Sequence, residues 1–460
     1  MKRLAFLLAA IGVSFAAAAA PGPQDRVYTA DQNSNTVSVI DPTSNTLLGQ
    51  IRLGNPRPDV LSPLYKGEVN VHGLGFSPDH RTLIAISTVT NSATFIDTST
   101  NKVKGTAYVG RNPHEGFFAP DGREAWIVVR GEDYLSVVDG MTFKETSRIL
   151  TTSGPGMVIF ANDGKLAFLA NSFNPVVEVI DVAKHQVIKR IPVVSPFSPF
   201  IQVTPDGKEV WLTHKDVGKV TRIDTALLDV KGVIDTGFIT NHLSFAASGG
   251  KTLAYVTIGG ENVVKVFTTD AAPQLVKTIP VGALPHGIWA SGDGTRIYVG
   301  LENSDAVDVI DTEKNEVVAR VPVGQAPQAL VYVSNAVAQG DGRTNLSPPN
   351  AAFENANITL KASQGEGRGF IVSRNLGLTD ILEINVFKLK PETVYRAFID
   401  DRSEPVAIFK TNANGMAAVS VVGPTRAVRP GPALVGGASK VLIVEGDAVP
   451  STATAVLVGG

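Results

Sequence analysis

The sequence predicts an all-β protein: a seven-bladed β-propeller closed by pairing of its N- and C-terminal propeller strands, followed by a small β-sandwich. The first observation is a repeat. TVSVID ends at Asp41, SATFID at Asp97, YLSVVD at Asp139, VVEVID at Asp181, KVTRID at Asp224, VVKVFT at Thr268 and AVDVID at Asp311, at spacings of 56, 42, 42, 43, 44 and 43. A period of ~40–45 residues holding four short strands marks propeller blades, because a lone four-stranded meander cannot cover both of its apolar faces. The second is composition. With 44 Gly and 28 Pro among 460 residues, and 43% of the chain hydrophobic, the sequence favours short strands and frequent turns around a sizeable core.

Taken from the start, Lys2 and Arg3 precede an apolar run at residues 4–15 and the small residues Ala18, Ala19 and Ala20, the layout of a cleaved secretory signal. Residues 1–20 are expected to be removed, which places the mature chain in the periplasm or outside the cell with no transmembrane segment. The propeller is expected over 21–335. Its long first interval falls in the Pro-rich stretch 57–70, read as a loop insertion. Asp-Gly pairs at 121–122, 163–164, 206–207 and 293–294 supply the positive φ that reverses an antiparallel pair. The chain enters at Val27 and Tyr28 in the phase of a second strand, whereas PQALVYV at 327–333 has the phase of a first strand with nothing after it. The two halves complete one blade and leave no gap in the ring. A linker follows at 336–350. Within the sandwich-like domain at 351–460, strands are expected at 358–362, 369–372, 381–387, 394–399, 406–410, 417–422, 440–444 and 455–458.

Tyr255-Val256-Thr257, Tyr298-Val299-Gly300, the turn Ser77-Pro78-Asp79 and the closing Ile279-Pro280-Val281-Gly282 resemble the YVTN-type bacterial β-propeller repeat over residues 27–334. The resemblance implies the fold and an exported setting. It extends to binding proteins, lactonase-like enzymes, and the propeller domains of nitrous-oxide reductase and haem d1 proteins. The chain has no cysteine, so a thiolate-bridged dinuclear copper domain, covalently attached c-type haem and iron–sulfur clusters are excluded.

One structural address gathers chemistry. Six residues before the second residue of each SPDG-like turn stand His72, His114, Gly156, Pro199, His242 and His286, with Gln328 in the closing unit. These positions open the inner strands and should rim one mouth of the axial channel. The ligand-binding candidates are therefore His72, His114, His242, His286 and Gln328. The four histidines are also metal-ligand candidates, for copper, zinc or iron. The alternative is a structural corner in which each imidazole satisfies nearby backbone. Nitrous-oxide reductase is similar in drawing copper ligands from propeller histidines, but Gly156, Pro199 and Gln328 depart from its set. Glu115, Arg111 and Arg130 are catalytic candidates as a base and an anion clamp. His80, His185 and His214 are expected to be solvated, and Trp126, Trp211 and Trp289 to pack between blades. The GEGRG stretch at 365–369 is expected to be a loop between strands.

Three functions follow as expectations. The first is an exported binding or scaffold protein with a small-molecule or protein partner at the channel mouth. The second is a lactonase-like or lyase-like enzyme. The third is single-stranded nucleic acid binding, which a net charge of −2 disfavours.

Overall fold

The computed structural model describes residues 21–54, 67–248, 250–349, 355–375, 380–400, 403–423 and 440–459; the signal segment read at 1–20 and most of the insertion read at 57–70 lie outside them. Seven four-stranded antiparallel sheets form the propeller. The first blade is composite, as the phase of the ends requires. Pro327–Val333 is its inner strand and pairs with Arg26–Asp31, aligning Val333 with Arg26, Tyr332 with Val27 and Val331 with Tyr28.

The signature residues have plain mechanical roles. The aspartate that ends the third strand in six of the seven blades, Thr268 being the exception, caps the turn after it. Asp139 Oδ1 accepts the Thr142 N–H at 2.7 Å, and Asp97, Asp181 and Asp311 accept at 2.8–3.0 Å from the residues three ahead. Gly122, Gly164, Gly207 and Gly294 adopt φ of 69–72°, as the Asp-Gly turns demand. In blade two His80 takes that place at φ 64°, held by Nδ1 against the Ser334 carbonyl at 2.6 Å.

Packing between blades uses one position of each second strand. Tyr28, Ile84, Trp126, Phe168, Trp211, Tyr255 and Tyr298 recur with the blade period and are all fully buried. Trp126 meets Phe160 edge-on at 4.9 Å and Trp211 meets Phe245 at 5.4 Å, one blade onward in each case. Their indole N–H groups donate to Glu124 and Glu209 at 3.1 and 2.8 Å, so neither indole donor is left unsatisfied. Trp289 likewise packs between blades, edge-on to Phe76 at 5.9 Å.

The stretch read as a linker is laid along the propeller. Val337 N–H donates to Gln24 O at 3.0 Å, and Gln50 and Ser347 exchange backbone hydrogen bonds of 2.8 Å. All eight expected strands of the second domain form. They make one continuous antiparallel sheet rather than two stacked ones, in the order Ala407–Lys410, Val394–Ile399, Val441–Glu445, Ala455–Gly459, Asn355–Ala362, Arg368–Asn375, Asp380–Phe387, Ala417–Gly423. The edge strands approach one another and nearly close a barrel around Leu360, Ile371, Ile384, Ala397, Ile443 and Leu457. The GEGRG stretch is the turn between two of these strands.

Ring closure contains a buried acid. Asp31 accepts hydrogen bonds from the hydroxyls of Thr29, Thr36 and Ser38 at 2.7–2.8 Å, and burial nevertheless pushes its carboxyl up to about 7. An unfolded aspartate ionises near ~3.9, so the folded chain holds this proton more tightly and stability falls as pH rises from about 4 toward 7. Asp31→Asn should remove that slope, raising Tm at pH 8 relative to pH 4 by about 5 °C against the parent. Thermal melts followed by circular dichroism across this range check it.

Candidate functional site

The histidine positions coincide with an irregularity built into the blades. Pairing between first and second strands slips between Val71 and Gly73, between Pro113 and Gly116, between Pro155 and Met157, between Thr240 and Leu243, and between Pro285 and Ile288. His72, His114, Gly156, His242 and His286 each lie inside the slip. A bulged residue leaves the alternation of the strand and is re-aimed, which turns these side chains toward the axis. Gly73 permits the approach of the next blade, since a Cβ there would collide with the His114 carbonyl and the Glu115 carboxylate.

Two histidine pairs result. His114 Nδ1 lies 2.8 Å from the Gly156 carbonyl, so that nitrogen carries the proton and Nε2 is left as an acceptor. His72 Nε2 stands 2.8 Å from it and must be the donor, so His72 Nδ1 is an acceptor. Gln32 Oε1 is placed 2.7 Å from Nδ1, and this tautomer requires the Gln32 amide to be turned so that its NH2 group donates to the ring. In the other pair, His286 meets His242 edge-on at 4.8 Å, and His242 stacks on Phe200 at 4.2 Å. His286 Nδ1 lies 2.8 Å from Glu302 Oε2. Among the described residues, no three His, Asp or Glu side chains are grouped as a metal ion requires.

A second ring, missed from the sequence, surrounds the same chamber. The residue just beyond each second strand is Gln32, Thr88, Arg130, Ser172, Lys215, Gly259 or Glu302, at the same spacings as the repeat. Of these only Arg130 was a candidate from sequence. Counting one residue past each second strand is the signal that finds the others. Arg130 and Lys215 both act electrostatically on the histidines. Burial first, and then charge, holds all four well below the ordinary imidazole range: Arg130 and Lys215 act on His72 and His286, Arg130 and then His72 on His114, and His286 and Lys215 on His242. Four neutral imidazoles therefore stand beside two cations.

Arg130 stands half-buried in this ring. Its Nε is buried with no hydrogen-bond partner, and burial draws the guanidinium down to about 10 against the pull of Glu115. Glu115 is buried too; its carboxyl is pushed up to about 8 although Arg130 and the Leu74 N–H, at 3.2 Å from Oε2, oppose the rise. Arg111 does not join them: it is exposed and lies 3.7 Å from Glu132 on a loop. Gln328 occupies the equivalent address in the closing blade and is buried.

The remaining histidines differ in part from expectation. His214 is not solvated but fully buried, its ring nitrogens 2.7 Å from the Thr221 hydroxyl and 3.1 Å from that of Ser198, with burial pushing it down to about 4. His185 is half-buried against Glu124 at 2.9 Å. A wider groove of about 1050 Å³ opens among turns of blades three and four on the opposite face. Its carboxylates Asp121, Asp139, Asp163 and Asp181 already accept backbone N–H groups of their own turns at 2.7–3.0 Å.

Fold and site together define a propeller with polar side chains gathered at one end of its axis and an added β-domain. Residues 123–321 match the family model described as YNCE-like beta-propeller. The protein YwhL of Bacillus subtilis (strain 168), itself uncharacterized, is 26% identical over 319 residues, or 67% of this chain and 65% of that one, so the match spans just under two thirds of that relative. Hydrazine synthase of Kuenenia stuttgartiensis superposes with a TM-score of 0.52 at 22% identity, covering 58% of this chain and 92% of that one. The periplasmic gluconolactonase PpgL of Pseudomonas aeruginosa gives 0.55 at 18%, covering 67% and 99%. A functionally unknown protein of Desulfotomaculum acetoxidans DSM 771 gives 0.57 at 14%, covering 67% and 99%. At these identities the structures establish the fold alone.

The tautomers forced by the Gly156 carbonyl are open to test. Nitrogen-15 NMR should find His114 as the Nδ1–H form and His72 as the Nε2–H form. All four axial rings should keep neutral-form shifts at pH ~6.5, where a free imidazole is half protonated.

Proposed function

We propose that this is an exported binding protein that holds a small carboxylate-bearing ligand in the axial chamber. The observation that carries the reading is Arg130, a half-buried cation whose buried Nε lacks a partner and which stands among neutral imidazoles, with Glu115 as its carboxylate neighbour but no hydrogen bond between them. A buried donor left unmade costs ~1–3 kcal/mol, and more when charged, so a ligand oxyanion that accepts from Arg130 recovers that cost. Lys215 adds a second positive charge to the same field. Export rests on the leader pattern at residues 1–20; among the described residues no helix is long and apolar enough to cross a membrane.

A second reading is lactone hydrolysis. It is favoured by Glu115, whose raised carboxyl beside Arg130 suits proton transfer near neutral pH, and by the name of the gluconolactonase that shares the fold.

Calorimetry with acetate, butyrate and succinate tests the first reading. Arg130→Gln should weaken the best of these by tenfold or more, whereas Arg111→Ala should leave it unchanged. Absence of binding by all three in the parent protein overturns the reading. For the second, gluconolactone opening followed by pH-stat should fall at least a hundredfold in Glu115→Gln.

A further inference from the structure

The second domain docks on the histidine face. Phe387 and Met416 bury against Ile239 and Leu284, which immediately precede the inner strands of blades six and seven. Arg374 locks this contact. It is fully buried; one terminal nitrogen reaches the Glu302 carbonyl at 2.5 Å and Asp305 Oδ1 at 3.0 Å, and the other reaches Glu383 Oε2 at 3.1 Å. The Arg374–Asp305 ion pair crosses the domain boundary, and Glu383, paired to the same guanidinium within its own domain, is thereby fixed over the propeller.

The docking forms a cleft of about 150 Å³, open to solvent on one side and lined by Lys215, Ile239, Leu284, Glu302, Glu383 and Asn385, among others. At ~30 Å³ per water that is space for about five waters, or for a molecule of a similar number of heavy atoms. Its charges are divided. Lys215 feels Glu302 and Glu383 electrostatically without forming an ion pair with either, and it adjoins the field of Arg130. Glu302 orients His286, and Glu383 comes from the second domain. A ligand with carboxylates alone would set like charge against Glu302 and Glu383, and an ammonium alone would meet Lys215 and Arg130. Only a molecule bearing both ends matches both walls. The environment of Glu383 agrees: burial, with Glu302 and Asp305 beside it, pushes its carboxyl up against the pull of Arg374, a strain that an incoming ammonium would relieve.

Building on the axial anion site, we propose that the ligand is a small zwitterion of the α-amino-acid type, its carboxylate on the Lys215 and Arg130 side and its ammonium between Glu302 and Glu383. The second domain is then one wall of the binding site.

Calorimetry on the full-length mature protein with L-alanine and with propionate, which lacks only the ammonium, tests it. Alanine should bind at least tenfold more tightly. In Glu383→Gln that advantage should shrink to threefold or less, with propionate holding or tightening. Equal binding of the two ligands by the parent protein overturns the zwitterion and leaves the anion site standing; no binding by either, or by the carboxylates above, overturns both. A preference for alanine that survives Glu383→Gln removes the second domain from the site. If loss of the Arg374 partner prevents folding, Ser420→Trp, which fills the cleft from an exposed position of the same domain, should abolish alanine binding while the melting curve stays that of the parent; alanine binding that persists in it overturns the assignment to this cleft.

Discussion

The hydrogen bonds between Pro327–Val333 and Arg26–Asp31 are the constraint on which the rest of the molecule depends. Each blade covers its neighbour's apolar face, and a ring with an open seam would leave two faces and two strand edges to water. Joining the chain's ends within one sheet removes the seam and makes the seven blades a single mechanical unit. The core reflects this, with large residues such as Trp126, Trp211, Tyr255 and Tyr298 at one repeated position, wedged between adjacent sheets. A closed ring also fixes the axial distance between side chains hundreds of residues apart.

Chemistry enters where the repeat departs from regular strand geometry. A bulge at the start of the inner strand frees one residue per blade to point along the axis, and the turn after the second strand contributes another. The same two addresses hold His and Arg in one blade, Gly and Ser in the next, His and Glu in another. Duplication supplied the addresses, and substitution at each made the chamber asymmetric. Its cations have carboxylate neighbours but no ion pairs with them, its imidazoles are held neutral by burial, and the second domain forms one wall of the cleft beside Lys215 and Glu302. Low local polarity strengthens whatever charge complement a ligand brings.

The added domain is tied to the ring by an apolar contact and a buried guanidinium rather than by the connecting segment alone. That segment is itself packed against the propeller's outer strand. The second domain therefore has a defined seat over blades five to seven, on the mouth where the axial side chains gather.

Blade number, phase of the closing strands, capped Asp turns and the histidine address were all legible in the primary structure, because each is periodic and depends only on local geometry and hydrophobic alternation. The eight strands of the second domain were legible too, but their union in one nearly closed sheet was not, since alternation marks a strand without naming its partner. His214 shows the same limit: it follows a strand-ending threonine in sequence, and only the fold sets Ser198 and Thr221 on either side to bury it. Sequence by itself determined the ring and where its corner histidines fall. Tertiary structure alone decided that His72 and His114 share a proton, that Arg111 stays outside while Lys215 and Glu302 come in, and that Glu383 lines the cleft from another domain. Charge pairing and burial depend on distances through space, and a chain's spacing carries those only where a repeat maps it onto a closed geometry.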